Sequence, residues 1–162
     1  MSSIEVKADP RKSYDMGGML AKQKTADELL AKMEALNSSL SLIRDCREGF
    51  DLLGKLINEQ QSENLKSTAE PMEARLKELE KEFFRDESIQ GIYSPSDALY
   101  VKFSGANSIL DSSSPLTANQ LDKLAILEGL ADDAIKQVAD FMEGEWAAYR
   151  EAVGQEDILL LK

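Results

Sequence analysis

Residues 13–61, SYDMGGMLAKQKTADELLAKMEALNSSLSLIRDCREGFDLLGKLINEQQ, form one long amphipathic run. Apolar residues return at alternating spacings of three and four, so that Ala26, Leu29, Met33, Leu36, Leu40, Ile43, Phe50 and Ile57 fall on one heptad stripe. Leu30, Leu42, Leu53 and Leu56 lie beside it, and a stripe of that width asks for more than one covering helix. Arg47 and Gly54 interrupt the seam, which predicts a helix inside a globular bundle and not a free coiled coil.

Upstream, Ile4 and Val6 alternate with Glu5 and Lys7, a pattern too short for a strand of its own, and Asp9-Pro10 breaks the chain. Ser13 is the expected N-cap, with Asp15 in the first turn, where a carboxylate suits the helix dipole. Gly17-Gly18 weakens that turn by about 1 kcal/mol per glycine. Thr25-Ala26-Asp27-Glu28 carries a capping-box signature, so either a second helix starts there after a kink or one helix runs through; the latter is favoured.

After polar residues 58–64, Ser67 or Thr68 opens the next helix if Pro71 lies in its first turn. Met72, Leu76, Leu79 and Phe83 make its buried stripe, and Glu73, Arg75, Lys77, Glu78, Glu80, Lys81 and Glu82 a solvated mixed-charge face. Ser94-Pro95-Ser96-Asp97 reads as a third helix start, with Leu99, Phe103, Ala106 and Leu110 buried. Asp111 to Pro115 is a turn, and Thr117 with Gln120 forms a capping box for the last helix. Its seam reads Leu121, Leu124, Ala131, Ile135, Val138, Met142, Tyr149 and Val153, widened by Leu127, Leu130, Phe141 and Trp146, and Gly154 is the expected stop.

The expected fold is therefore all-α: an antiparallel up-down bundle of four helices, with a three-helix bundle containing a broken middle helix as the alternative. At ~1.5 Å per residue the outer helices span about 70 and 55 Å and the middle two about 25 Å each, lengths that suit either arrangement. Residues 1–12 are an extended segment, 13–153 the bundle and 154–162 an apolar tail containing Ile158, Leu159, Leu160 and Leu161.

Composition narrows the functional classes. Lys and Arg number 19 against 30 Asp and Glu, a net charge of -11 that repels nucleic acid and anionic membranes. No apolar run approaches the ~20 residues that cross a bilayer. The N-terminus lacks a signal peptide, which points to the cytoplasm unless the sequence is a piece of something larger. With no histidine, the Ser-His-Asp and Cys-His arrangements and the usual zinc and di-iron bundle sites are excluded. Neither a phosphate-binding Gly-x-x-x-x-Gly-Lys loop nor a calcium loop is found. The single cysteine, Cys46, lies next to the seam and reads as a buried structural thiol.

Two features could contact something. Asp132, Asp133, Asp140, Glu143 and Glu145 are an acidic stretch, but a helical period scatters them over different faces. Trp146 and Tyr149 read either as the bundle's core plug, the favoured reading, or as a partner contact together with Ile158 to Leu161.

Several motifs carry a family resemblance: Ile4-Glu5-Val6-Lys7-Ala8-Asp9-Pro10-Arg11, Phe83-Phe84 with Ile89-Gln90-Gly91-Ile92, Ser113-Ser114-Pro115-Leu116-Thr117, and Trp146-Ala147-Ala148-Tyr149. Together they resemble the C-terminal helical segment of large bacterial sortilin-like, BNR-repeat β-propeller proteins. The resemblance implies a fragment of a longer extracytoplasmic protein, with the propeller upstream. Gly154 to Lys162 depart from that family's asparagine- and proline-rich close. The expected function is thus a non-enzymatic accessory or interaction domain without a cofactor, contacting its own propeller or another protein. The rival is a free-standing cytoplasmic adaptor or chaperone-like homodimer. A hydrolase built on the acidic stretch is the remote third reading.

Overall fold

The computed structural model describes residues 15–60, 63–83 and 98–155, giving the backbone alone at 56–60 and 63–66. Among these residues the fold is all-α: α1 (Met16–Gln60), α2 (Glu63–Phe83), α3 (Leu99–Leu110), α4 (Ala118–Phe141), a π-helical turn (Met142–Trp146) and α5 (Ala147–Gln155). The last three run on without a break, so there are four helices and no strand among the described residues.

α1 is one uninterrupted helix. Ser13 lies outside the described residues, and Asp15 acts as the cap: its Oδ1 accepts from the Gly18 backbone N–H at 2.9 Å, and its carbonyl from that of Met19 at 3.0 Å. The capping-box reading of Thr25 fails. Its hydroxyl donates to the Ala21 carbonyl at 3.2 Å, a mid-helix bond, and Glu28 pairs with Lys24 at 3.5 Å. Gly18 is required by close approach, since a β-carbon there would lie 2.8 Å from Cβ of Pro115.

Leu29, Leu36, Ile43 and Phe50 are buried, one in every heptad, and Lys22 heads the same column. Leu30 and Leu42, expected beside the stripe, are exposed, because the neighbouring helices cover the columns of Ser39 and Cys46 on one side and of Met33 and Leu40 on the other. Arg47 interrupts the seam to reach α2: its Nη2 donates to Oε2 of Glu80 at 3.1 Å and its Nε to Oε1 at 3.3 Å.

The direction of packing follows from which residues meet. Along α1, Gly18 faces Pro115, Lys32 pairs with Asp132, Cys46 touches Met142 and Phe50 packs on Tyr149. Both numbers rise together, so α1 and the last helix are parallel. Against them Arg47 meets Glu80, Arg75 meets Glu145 and Gln137 meets Glu82, so α2 runs the opposite way. Phe83 at the end of α2 and Phe103 of α3 share a cleft with residues 33–40 of α1, and Ser112, just past α3, reaches Lys22. α2 and α3 therefore lie end to end, antiparallel to α1, which is the alternative arrangement that the sequence left open.

Some boundaries differ from expectation. α2 starts at Glu63, which puts Pro71 inside the helix, where it cannot donate to the Ser67 carbonyl. We expect Pro71→Ala to stabilise the bundle by ~1–3 kcal/mol, read as a higher urea midpoint at unchanged slope. An unmoved midpoint would place the start of α2 at Ser67 or Thr68. α3 begins at Leu99, with Ala98 extended (φ −62°, ψ 132°) and without a side-chain cap; Ser94 to Asp97 are outside the described residues. Burial of Leu99, Phe103 and Ala106 thus sets this start. The Thr117 capping box is present, with Thr117 N–H donating to Gln120 Oε1 at 2.9 Å. Gly154 lies within α5 instead of ending it.

The buried row of the last helix is Leu124, Ala131, Ala134, Val138, Phe141, Trp146 and Tyr149. Steps of three and four give way to a step of five between Phe141 and Trp146, across the π-turn. That extra residue keeps Trp146 on the inner face in place of Glu145. Leu121, expected on the seam, is exposed, and Ile135, Met142 and Val153 are half-buried.

The charged face of α2 is also not wholly solvated. Glu73 pairs with Lys77 at 2.6 Å along the helix, but Glu80, Arg75 and Glu82 bridge to Arg47, Glu145 and Gln137 of the other helices.

Candidate functional site

α2 and α3 lie end to end along α1, and a cleft lies between α1, the end of α2 and the first turns of α3. Met33, Leu36, Asn37 and Leu40 present one side of α1 there, spaced as neighbours on successive turns. Phe83 closes the space from α2, and Tyr100 and Phe103 from the first turns of α3. The result is a cleft of about 110 Å³ with no charged residue among the described residues that line it. Tyr100 is 70% exposed beside it, while Leu36, Phe83 and Phe103 are buried beneath. Leu30, 56% exposed, lies one helical repeat before Asn37 and extends the apolar surface along α1.

The residues singled out from sequence are elsewhere. Trp146 and Tyr149 are 8% and 4% exposed, so their rings belong to the core and are not a surface for a partner. Trp146 lies 6.2 Å from the Phe141 ring and 5.6 Å from that of Tyr149, which in turn lies 5.7 Å from Phe50. The Tyr149 hydroxyl has no hydrogen-bond partner among the described residues, and burial pushes its pKa up. Ile158, Leu159, Leu160 and Leu161 lie outside the described residues.

The acidic stretch is dispersed into ion pairs: Asp132 with Lys32, Asp140 with Lys136, and Glu145 with Arg75. Among the described residues no group of three or more Cys, Asp or Glu could hold a metal ion, and no helix is long and apolar enough to cross a membrane.

Cys46 is buried, its Sγ 3.4 Å from the Met142 sulfur, and burial raises its pKa to about 11. The folded thiol should therefore resist iodoacetamide at pH 8.5, where an unfolded cysteine reacts. The unfolded thiol ionises near 9 and the folded one near 11, so this contribution is intact below pH 9 and is lost as pH rises towards 11. Alkylation of native protein at the unfolded rate would contradict this burial.

One buried charge was not legible as such. Lys22, 6% exposed, donates from Nζ to the Ser112 carbonyl, to Ser112 Oγ at 3.0 Å and to the Ser114 carbonyl at 3.4 Å. An amine next to a serine hydroxyl resembles the Ser-Lys arrangement of some hydrolases. Here, however, three acceptors face the nitrogen, which is the surrounding of a donating ammonium and not of a base offering its lone pair. The lysine staples the turn before the last helix. We expect Lys22→Met to destabilise the fold by ~2–3 kcal/mol in urea titration, since charge-assisted bonds are lost and carbonyls stranded. The available signal was its place seven residues before Leu29.

No family matches. Comparison with curated proteins and with solved structures likewise returned nothing similar to this chain. The site is therefore read from its own chemistry. The motifs that carry the β-propeller resemblance and lie within the described residues have local explanations: Ser113 to Thr117 form the stapled, capped turn, and Trp146 and Tyr149 fill the core.

Proposed function

We propose that this chain is a non-enzymatic helical interaction module, and that its contact site is the cleft between α1 and the junction of α2 with α3. The carrying observation is size. About 110 Å³ lies below the ~300–1,000 Å³ of ordinary small-molecule pockets, and near the ~150 Å³ cavity that admits one benzene-sized group. Such a space takes a single apolar side chain presented by another polypeptide. An exposed aromatic beside a buried apolar floor is also how protein contacts anchor.

The test places a photo-crosslinking benzoylphenylalanine at Tyr100 and, in a second chain, adds Leu40→Asp to spoil the apolar wall. A defined protein adduct that disappears with Leu40→Asp, while helical circular dichroism is unchanged, supports the reading. A folded chain giving no adduct, or the same adduct with both chains, overturns it.

The setting is a separate proposal and rests on the motif resemblance alone: a module appended to an extracytoplasmic β-propeller. An open reading frame upstream of Ile4 that encodes propeller repeats supports it, and a start at Met1 favours the free-standing cytoplasmic adaptor. If that adaptor forms a homodimer, the heptad stripe of α1 is not its surface, because α2, α3 and the last helix already cover it.

A further inference from the structure

Three unrelated breaks in helical regularity fall at one level of the bundle. In the last helix the break is the π-turn Met142–Trp146, with Gly144 inside it. In α2 it is Pro71, which takes one backbone donor out of the helix. In α1 it is Gly49 and Gly54, glycine being the poorest helix former after proline. Contacts between the helices set the level. Cys46 touches Met142, Phe50 packs on Tyr149 and Arg75 meets Glu145, so Pro71, four residues before Arg75 on an antiparallel helix, is level with about Tyr149.

Packing does not ask for these glycines. A β-carbon on Gly49 would stand 3.9 Å from the Trp146 ring, an ordinary contact, and one on Gly54 or Gly144 would meet no described atom within 4 Å. Gly18, by contrast, is held to glycine by Pro115. From Ala21 to Glu48 α1 contains neither glycine nor proline, so Gly105 of α3 and Gly129 of α4 lie beside an unbroken stretch. Prolines, glycines and π-turns are where helices bend, and at this level every helix of the cross-section carries one of them. We infer that the section is a hinge, at which the Gln155 end of the bundle swings against the remainder about the filled core of Phe50, Trp146 and Tyr149. Trp146 lies about 14 Å from Gln155 at ~1.5 Å per residue, so the swing redirects that pole with only a small change in the distance between the two poles.

Residual dipolar couplings of the backbone amides in a weakly aligning medium test the hinge. Those of residues 20–45 and 118–140 should fit one alignment tensor. Those of residues 54–60, 63–70 and 148–155 should fit a second that all three helices share, weaker by about a tenth for a swing of ~20°, the size of a helix kink. Because bending needs all three helices to yield, stiffening one is enough: Gly49→Ala with Gly54→Ala in α1, or Pro71→Ala in α2, should each bring the two tensors together. One tensor for the whole unsubstituted chain overturns the inference. So do three helix ends that each need a tensor of their own, which is independent fraying, and so does a difference that survives either variant.

Discussion

Trp146→Ala is expected to cost ~3–5 kcal/mol of folding stability, a large share of the ~5–15 kcal/mol typical of a domain. The indole lies between Phe141 and Tyr149, and its six-membered ring passes 3.9 Å from where a β-carbon on Gly49 would stand. Truncation leaves a void bounded by helices that cannot all close in, so a cavity term adds to the lost burial. A urea titration reads this as a fall in midpoint. The control is Leu20→Ala, an exposed side chain on α1, which should change stability by less than ~0.5 kcal/mol. If the tryptophan were instead a contact for a partner, the two substitutions would behave alike in the isolated chain.

The second large effect concerns length. Inserting one alanine after Gly144 turns everything beyond it by about 100° and swings Trp146 and Tyr149 together off the inner face. The expected loss exceeds that of Trp146→Ala, at or above ~5 kcal/mol, enough to leave a marginal domain unfolded at 25 °C. Deleting Gly144 should do the reverse. The π-turn already contains one residue too many for a regular helix, so its removal restores steps of three and four from Phe141 to the tryptophan and tyrosine. Stability within ~1 kcal/mol of the parent is expected for the deletion, and circular dichroism with thermal melts distinguishes the two. Equal damage from both changes would refute this reading of the π-turn.

These two cases mark where the amino-acid sequence was legible. The strict sevenfold return of Leu29, Leu36, Ile43 and Phe50 announces a buried column on its own, and Thr117 with Gln120 announces a cap, because both signals are local. Trp146 looked like an outlier beside the seam of the last helix because a 3.6-residue period has no place for a step of five. Pro71 misled for a related reason: a proline is best tolerated in a first turn, yet α2 extends upstream of it to Glu63, with Ala69 packed against the core. Whether the short helices stood side by side or end to end was decided by contacts such as Arg47 with Glu80 and Lys22 with Ser112, which no local pattern encodes. The cleft was illegible for the same reason. Tyr100 means little until Phe83 and Met33 are known to stand beside it.

The parallel course of the first and last helices has a mechanical consequence. Met16 and Gln155 emerge at opposite poles of a rod, separated by about 60 Å at ~1.5 Å per helical residue. Whatever is attached at the two poles is held apart by a stiff strut, and not brought together as it would be by a hairpin of helices. Distance between dyes placed at the poles would report bending or breakage of that strut under load or on contact with a partner.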